Sequence, residues 1–164
     1  MLFRSVIVNL EHMEWSTPEG SFQSRSLAGG SVARPFPDYA RLSHREYGHR
    51  VGIFRVLDVL KRHGIKATVA LDAMTAENYP YLVRHLLGWG CEIIGHGVSV
   101  SRMINSGMSQ EQEREYISES LTALATATGS APQGWLGPEY GESARTPQLL
   151  AEAGISYICD WAND

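Results

Sequence analysis

Five short apolar runs, each ending in a polar and chemically capable residue, constrain this chain more than any other feature. Val6–Leu10 runs into Glu11 and His12, Ala67–Leu71 into Asp72, and Glu92–Gly95 into His96. Gly134–Pro138 runs into Glu139, and Tyr157–Cys159 into Asp160. Helical patterns separate the runs, and strands alternating with helices predict an α/β fold with a parallel sheet. Parallel strands bring their C-terminal ends to one rim, where such folds bind and react. The five polar ends therefore predict one site, hydrolytic in character, assembled from distant sequence.

The helical patterns are legible from about Arg50. Ile53, Val56, Leu57 and Leu60 recur at helical spacing, with Lys61, Arg62 and His63 in the last turn and Gly64 as the stop. Asn78 is expected to cap a helix that Pro80 opens and that turns Leu82, Val83, Leu86 and Leu87 inward. Ser109 with Gln112 forms a capping-box pattern ahead of the longest helix, with the stripe Tyr116, Ile117, Leu121 and Leu124 and the terminator Gly129. Thr146-Pro147 opens the last helix and Gly154 ends it. From Glu11 to about His44 no periodicity is found, and a loop leaving the rim end of the first strand is expected to cover substrate. The chain ends at Asp164, just past the fifth strand, which fits an open sheet or a barrel cut short equally well.

A chain of 164 residues holds one domain, here residues 1–164. With 14 basic against 18 acidic residues and no long run of one sign, nucleic acid and anionic membranes are poor partners. No stretch approaches the about 20 apolar residues of a membrane span, and Asn9 and Glu11 interrupt any signal peptide, so a cytoplasmic protein is expected. Cys91 and Cys159 fall inside apolar strand patterns and read as reduced core thiols. The uncovered sheet edge leaves a homo-oligomer open.

His96 leaves its strand between Gly95 and Gly97, where an imidazole can shuttle a proton or bind metal. Period-two alternation puts Asn9 and Glu11 on one strand face, aiming Glu11 into the site. The turn at Gly137-Pro138 presents Glu139 and Tyr140 at the rim, Asp72 and Asp160 complete an acidic ring, and Trp135 and Trp161 are candidate walls. Glu11, His96 and Glu139 are thus the expected catalytic residues. Asp72, Trp135, Tyr140, Asp160 and Trp161 are the expected substrate-binding set. No Gly-x-Gly-x-x-Gly turn, phosphate loop, nucleophile elbow or paired-cysteine zinc pattern is present.

Taken together, Val6 to Glu11, Glu46-Tyr47-Gly48-His49-Arg50, Ile94-Gly95-His96-Gly97, Gly134 to Pro138 and Tyr157 to Trp161 resemble the polysaccharide deacetylase superfamily of carbohydrate esterases. Its allantoinase-like branch, linked with urate catabolism, is the nearest in pattern. The resemblance implies a distorted (β/α) barrel of about seven strands, continuing past Asp164, with a hydrolytic rim. Metal-using members carry an Asp-Asp pair and a His-x-x-x-His motif; here these positions hold Glu11-His12 and His96 to Val100. Valine cannot ligate a metal, so the three-ligand site zinc needs is incomplete unless His12 joins His96. The resemblance thus implies hydrolysis of a C–N bond in a small ureide, amide or N-acetyl group, with no metal required. In that reading Glu11 is the general base and His96 polarises the carbonyl or protonates the leaving nitrogen. A zinc- or cobalt-dependent carbohydrate deacetylase is the alternative, and a silent ligand-binding domain the third.

Overall fold

The computed structural model describes residues 6–16, 19, 26–27, 31–32 and 37–161. Strand β1 (Val6–Leu10) is followed by the two-residue strands β2 (Ser26–Leu27) and β3 (Ser31–Val32), which pair antiparallel. Then come α1 (Tyr39–Tyr47), a π-helical turn over Gly48–Gly52, α2 (Ile53–Arg62), β4 (Ala67–Leu71), α3 (Ala73–Asn78), α4 (Pro80–Gly88) and β5 (Glu92–Gly95). The long α5 (Gln110–Thr128), β6 (Gly134–Trp135), a 3-10 turn at Pro138–Tyr140, α6 (Thr146–Glu152) and β7 (Tyr157–Ile158) complete the order. The parallel sheet runs β1-β4-β5-β6-β7, so the five apolar runs pair as expected.

The register explains why their polar ends converge. Leu10, Leu71, Gly95, Trp135 and Ile158 lie level across the sheet. Leu10 and Leu71 point outward into a core built with Ile53 and Leu57 of α2, Leu82, Val83 and Leu86 of α4, and Leu124 of α5. Trp135 and Ile158 point outward into a second core with Tyr116 and Ile117 of α5 and Leu149 and Leu150 of α6. Because side chains alternate, the next residue of each strand turns to the concave side. Those residues are Glu11, Asp72, His96, Leu136 and Cys159. Of these, Leu136 and Cys159 pack with Ala70 and Ile94 in a small apolar floor.

Helix α5 carries the full capping box, with Gln112 N–H on Ser109 Oγ and Ser109 N–H on Gln112 Oε1. Gly129 ends it at φ 82°, a conformation that favours glycine. Two expectations are corrected. Helical structure begins at Tyr39, well before Arg50, with Asp38 capping α1 by accepting from Arg41 N–H at 3.1 Å. Leu42 is the one buried residue of α1, and the π turn then inserts an extra residue, so no 3.6-residue pattern connects Leu42 to Ile53. Asn78 does not cap α4: it is the last residue of α3, its amide donating to Met74 O at 2.8 Å, and Tyr79 stands at the N-cap. Helix α3 itself was not foreseen.

Cys91 and Cys159 are free thiols. Among the described residues no helix is long and apolar enough to cross a membrane. Most of the expected substrate-covering loop after Trp15 lies outside the described residues.

Candidate active site

Glu11, the first residue past β1, is held by an imidazole and a guanidinium. Its Oε1 lies 2.9 Å from His96 Nε2 and its Oε2 3.1 Å from Arg45 Nη1. His96 is fully buried, and its Nδ1–H donates to the carbonyl of Leu136 on the next strand. With that hydrogen committed, a second one must lie between Nε2 and the carboxylate, because two facing lone pairs would repel. Burial opposes charge on Glu11. The His96 hydrogen bond and the charge of Arg45 lead the effects that outweigh it and hold the carboxyl below its ordinary value.

The glycines beside His96 have separate reasons. A Cβ on Gly95 would meet the Trp135 ring at 2.6 Å. Gly97 adopts φ 69°, and a Cβ there would lie 2.2 Å from Tyr116 Oη. That hydroxyl accepts from Val98 N–H at 3.1 Å and donates to Arg102 O at 2.6 Å, while Ser120 Oγ donates to Gly97 O at 2.8 Å. The segment after β5 is therefore bolted to α5, which fixes the imidazole.

A cavity of about 180 Å³ opens beside Glu11, lined by Asn9, Leu10, Glu11, His44, Arg45, Gly48 and His49. Arg45 and His49 are four residues apart and so share one helix face. His49 is buried, lies against Tyr79 with ring centroids 4.8 Å apart and planes tilted by 38°, and has Nε2 3.5 Å from Thr75 Oγ1. Tyr79 Oη donates to Glu46 Oε1. Burial keeps the His49 ring neutral down to about 4, against the pull of Glu46. Sequence reasoning did not assign Arg45, His49, Glu46 or Tyr79. For Glu46 and His49 the signal lay in the Glu46–Arg50 segment, quoted for its resemblance but not read at helical spacing.

The remaining candidates divide. His96 belongs to the site but sits behind Glu11, with both ring nitrogens engaged, rather than in the cavity wall. Asp72 is fully buried, not in a substrate-facing position: its carboxylate accepts from His12 N–H at 2.6 Å and Thr75 N–H at 2.7 Å, capping α3. Burial pushes Asp72 up to about 7 in spite of these bonds. His12 is fixed by its backbone, its N–H on Asp72 and its carbonyl accepting from Val100 N–H at 3.0 Å. Burial lowers its imidazole, with Glu46 and Glu14 opposing. Trp135, expected as a substrate wall, is wholly buried in the second core because its strand position points outward. Glu139 and Tyr140 sit in the 3-10 turn at φ 52° and 57°, with Tyr140 exposed. Asp160 accepts from Gly137 N–H at 2.6 Å, and burial plus a hydrogen bond with Glu142 raise it to about 7. Trp161 is exposed and donates to Glu142 Oε2 at 3.0 Å.

The donors present do not fit the three-ligand metal site that the resemblance implies for metal-using members. Both Glu11 oxygens are engaged, by His96 Nε2 and by Arg45 Nη1, and Val100 packs with Met13 and Leu42 in an apolar cluster. Among the described residues no three His, Cys, Asp or Glu side chains come together as a metal-binding group.

Comparison with known proteins agrees with this architecture. A polysaccharide deacetylase homologue of Schizosaccharomyces pombe is 33% identical over 105 residues, covering 62% of this chain and 32% of that protein. A peptidoglycan deacetylase of Helicobacter pylori is 28% identical over 116 residues, covering 71% of this chain and 39% of that protein. The crystal structure of PuuE allantoinase superposes with a TM-score of 0.77 at 28% identity, covering 98% of this chain and 54% of that one. The chain thus spans about a third of the curated relatives' length and about half of the allantoinase chain. The polysaccharide deacetylase family profile matches residues 46–158, more than half of the sequence, and the chain belongs to that family.

Proposed function

We propose that this protein hydrolyses a C–N bond in a small ureide or amide, with Glu11 as the acid–base group and no metal in the reaction. The observation that carries this reading is the Arg45–Glu11–His96 arrangement: one cavity-facing carboxylate paired with the Arg45 guanidinium and hydrogen-bonded to His96, its pKa held low, in a donor set that does not fit a metal. Water bound beside Glu11 gives up a proton to it and attacks the carbonyl carbon. The same carboxyl then returns the proton to the leaving nitrogen. Arg45 faces the cavity and supplies positive charge where the carbonyl oxygen becomes an oxyanion. His96 acts through Glu11 as a positioning residue, moving from the direct role expected of it. Purine catabolism, the setting of the allantoinase-like branch, fits a ureide substrate.

The cavity size favours a small substrate. About 180 Å³ falls below the roughly 300–1,000 Å³ of pockets that enclose drug-sized ligands. Family membership and the peptidoglycan deacetylase relative support a second reading, removal of N-acetyl groups from a carbohydrate. A panel of allantoin, simple amides and N-acetylglucosamine oligomers separates the two: ring opening or ammonia release supports the first, and acetate release the second.

A further inference from the structure

Asn9 stands two residues before Glu11 on β1, and strand alternation puts both on the concave side of the sheet. Its register partner Ala70 and the next one across, Ile94, are wholly buried and apolar. Asparagine is uncommon inside a strand. This one is exposed, lines the cavity with Glu11 and Arg45, and among the described residues its amide has no hydrogen-bond partner. The other polar side chains of that wall offer one kind of group in any one direction. Arg45 only donates, the Glu11 carboxylate only accepts, and a histidine carries its two nitrogens on separate ring edges. Asn9 alone among the lining residues sets a C=O acceptor and an N–H donor side by side.

We propose that Asn9 reads the amide edge of the substrate, accepting from its N–H and donating to its C=O, and so selects cyclic ureides. The inference rests on the proposed hydrolysis and narrows its substrate class. A two-bond pair of this kind requires N–H and C=O on the same side of the C–N bond. A ring ureide holds them so, whereas an open-chain secondary amide is trans and turns them to opposite sides. An N-acetyl group on a sugar is a trans amide of that second kind and makes one bond to Asn9 at most. The spacing suits a ring: residues two apart on a strand stand about 6.6 Å apart, close to the span of a five-membered ring plus one hydrogen bond. With one edge of the ring on Asn9, the carbonyl carbon of the far side comes beside Glu11 and Arg45, where water attacks.

The test reads binding, so that it stands apart from turnover. The side-chain amide of Asn9 is followed by proton–nitrogen NMR with three probes: hydantoin, 1,3-dimethylhydantoin, which lacks both N–H groups, and N-methylacetamide, an open-chain trans amide. Hydantoin is expected to shift the Asn9 side-chain signals and to bind at least about tenfold more tightly than the other two, as two matched hydrogen bonds provide. Equal shifts with all three probes, or Asn9 signals that hydantoin leaves unmoved, overturn the inference. Asn9→Leu is close in size and suits the apolar level of the sheet. In that variant the preference for hydantoin over N-methylacetamide should fall to within about threefold, and Asn9→Ala serves if the leucine variant does not fold. An unchanged preference sinks the Asn9 assignment alone, whereas full activity in Glu11→Gln sinks the hydrolytic reading beneath it.

Discussion

Glu11 Oε1 and His96 Nε2 stand 2.9 Å apart across 85 residues of sequence, and the bond ties the end of β1 to the end of β5. His96 is anchored in turn by the Leu136 carbonyl beyond β6, so three strand ends share one chain of hydrogen bonds. Removing His96 takes away a hydrogen bond and a charge that lower the Glu11 pKa, while burial, which raises it, remains. In the His96→Asn variant the acid limb of the kcat/KM profile should therefore move to higher pH, with a loss of about 10- to 100-fold near neutrality. pH–rate profiles of wild type and variant check this; a limb that stays in place contradicts the pairing.

Gly97→Ala should be strongly destabilising. The residue adopts φ 69°, and a Cβ there would lie 2.2 Å from Tyr116 Oη and 2.8 Å from Pro138 Cγ. Backbone strain of this kind alone costs about 1–3 kcal/mol. Denaturant unfolding should show a loss of at least about 2 kcal/mol, and a variant as stable as wild type would mean that the segment after β5 is not bolted as described.

Asp72 gives a stability signature with a defined sign. Its pKa rises from an ordinary 3.8 to about 7 in the folded protein, chiefly through burial. The folded state then binds a proton that the unfolded chain has released, so stability falls as pH rises from about 4 to 7. Asp72→Asn removes this dependence. Thermal unfolding across that range should show wild type losing ground relative to the variant as pH rises; parallel curves would contradict it.

Val100→His restores the residue that the His-x-x-x-His motif contains, and zinc should still not bind. Val100 is buried with Met13 and Leu42, so the new ring is desolvated among apolar groups. Leaving it unpaired costs about 1–3 kcal/mol. Elemental analysis after zinc exposure is expected to find substoichiometric metal in a destabilised protein, and one zinc per chain would overturn the donor-set argument.

The sheet was legible because each strand is a short apolar run with a polar end, and period-two alternation sufficed to aim Glu11 inward with Asn9. The capping box at Ser109 and the stop at Gly129 follow local rules that tertiary context does not override. Helix α1 was hidden because it buries one residue and passes into a π turn, a change of period that no 3.6-residue template matches. Arg45 and His49 were hidden with it. Trp135 misled because a large aromatic at a rim reads as a substrate wall, whereas strand parity sends it outward. Asp72 misled for another reason: a buried carboxylate that caps a helix has the same sequence signature as one that faces a ligand.

The most direct test of the account is hydrolysis of allantoin by wild type and Glu11→Gln, each assayed with and without a strong chelator. The account predicts wild-type turnover unchanged by the chelator and a loss of about 100-fold or more in the variant. Activity that vanishes with chelator and returns with zinc, or a Glu11→Gln variant as active as wild type, would contradict it.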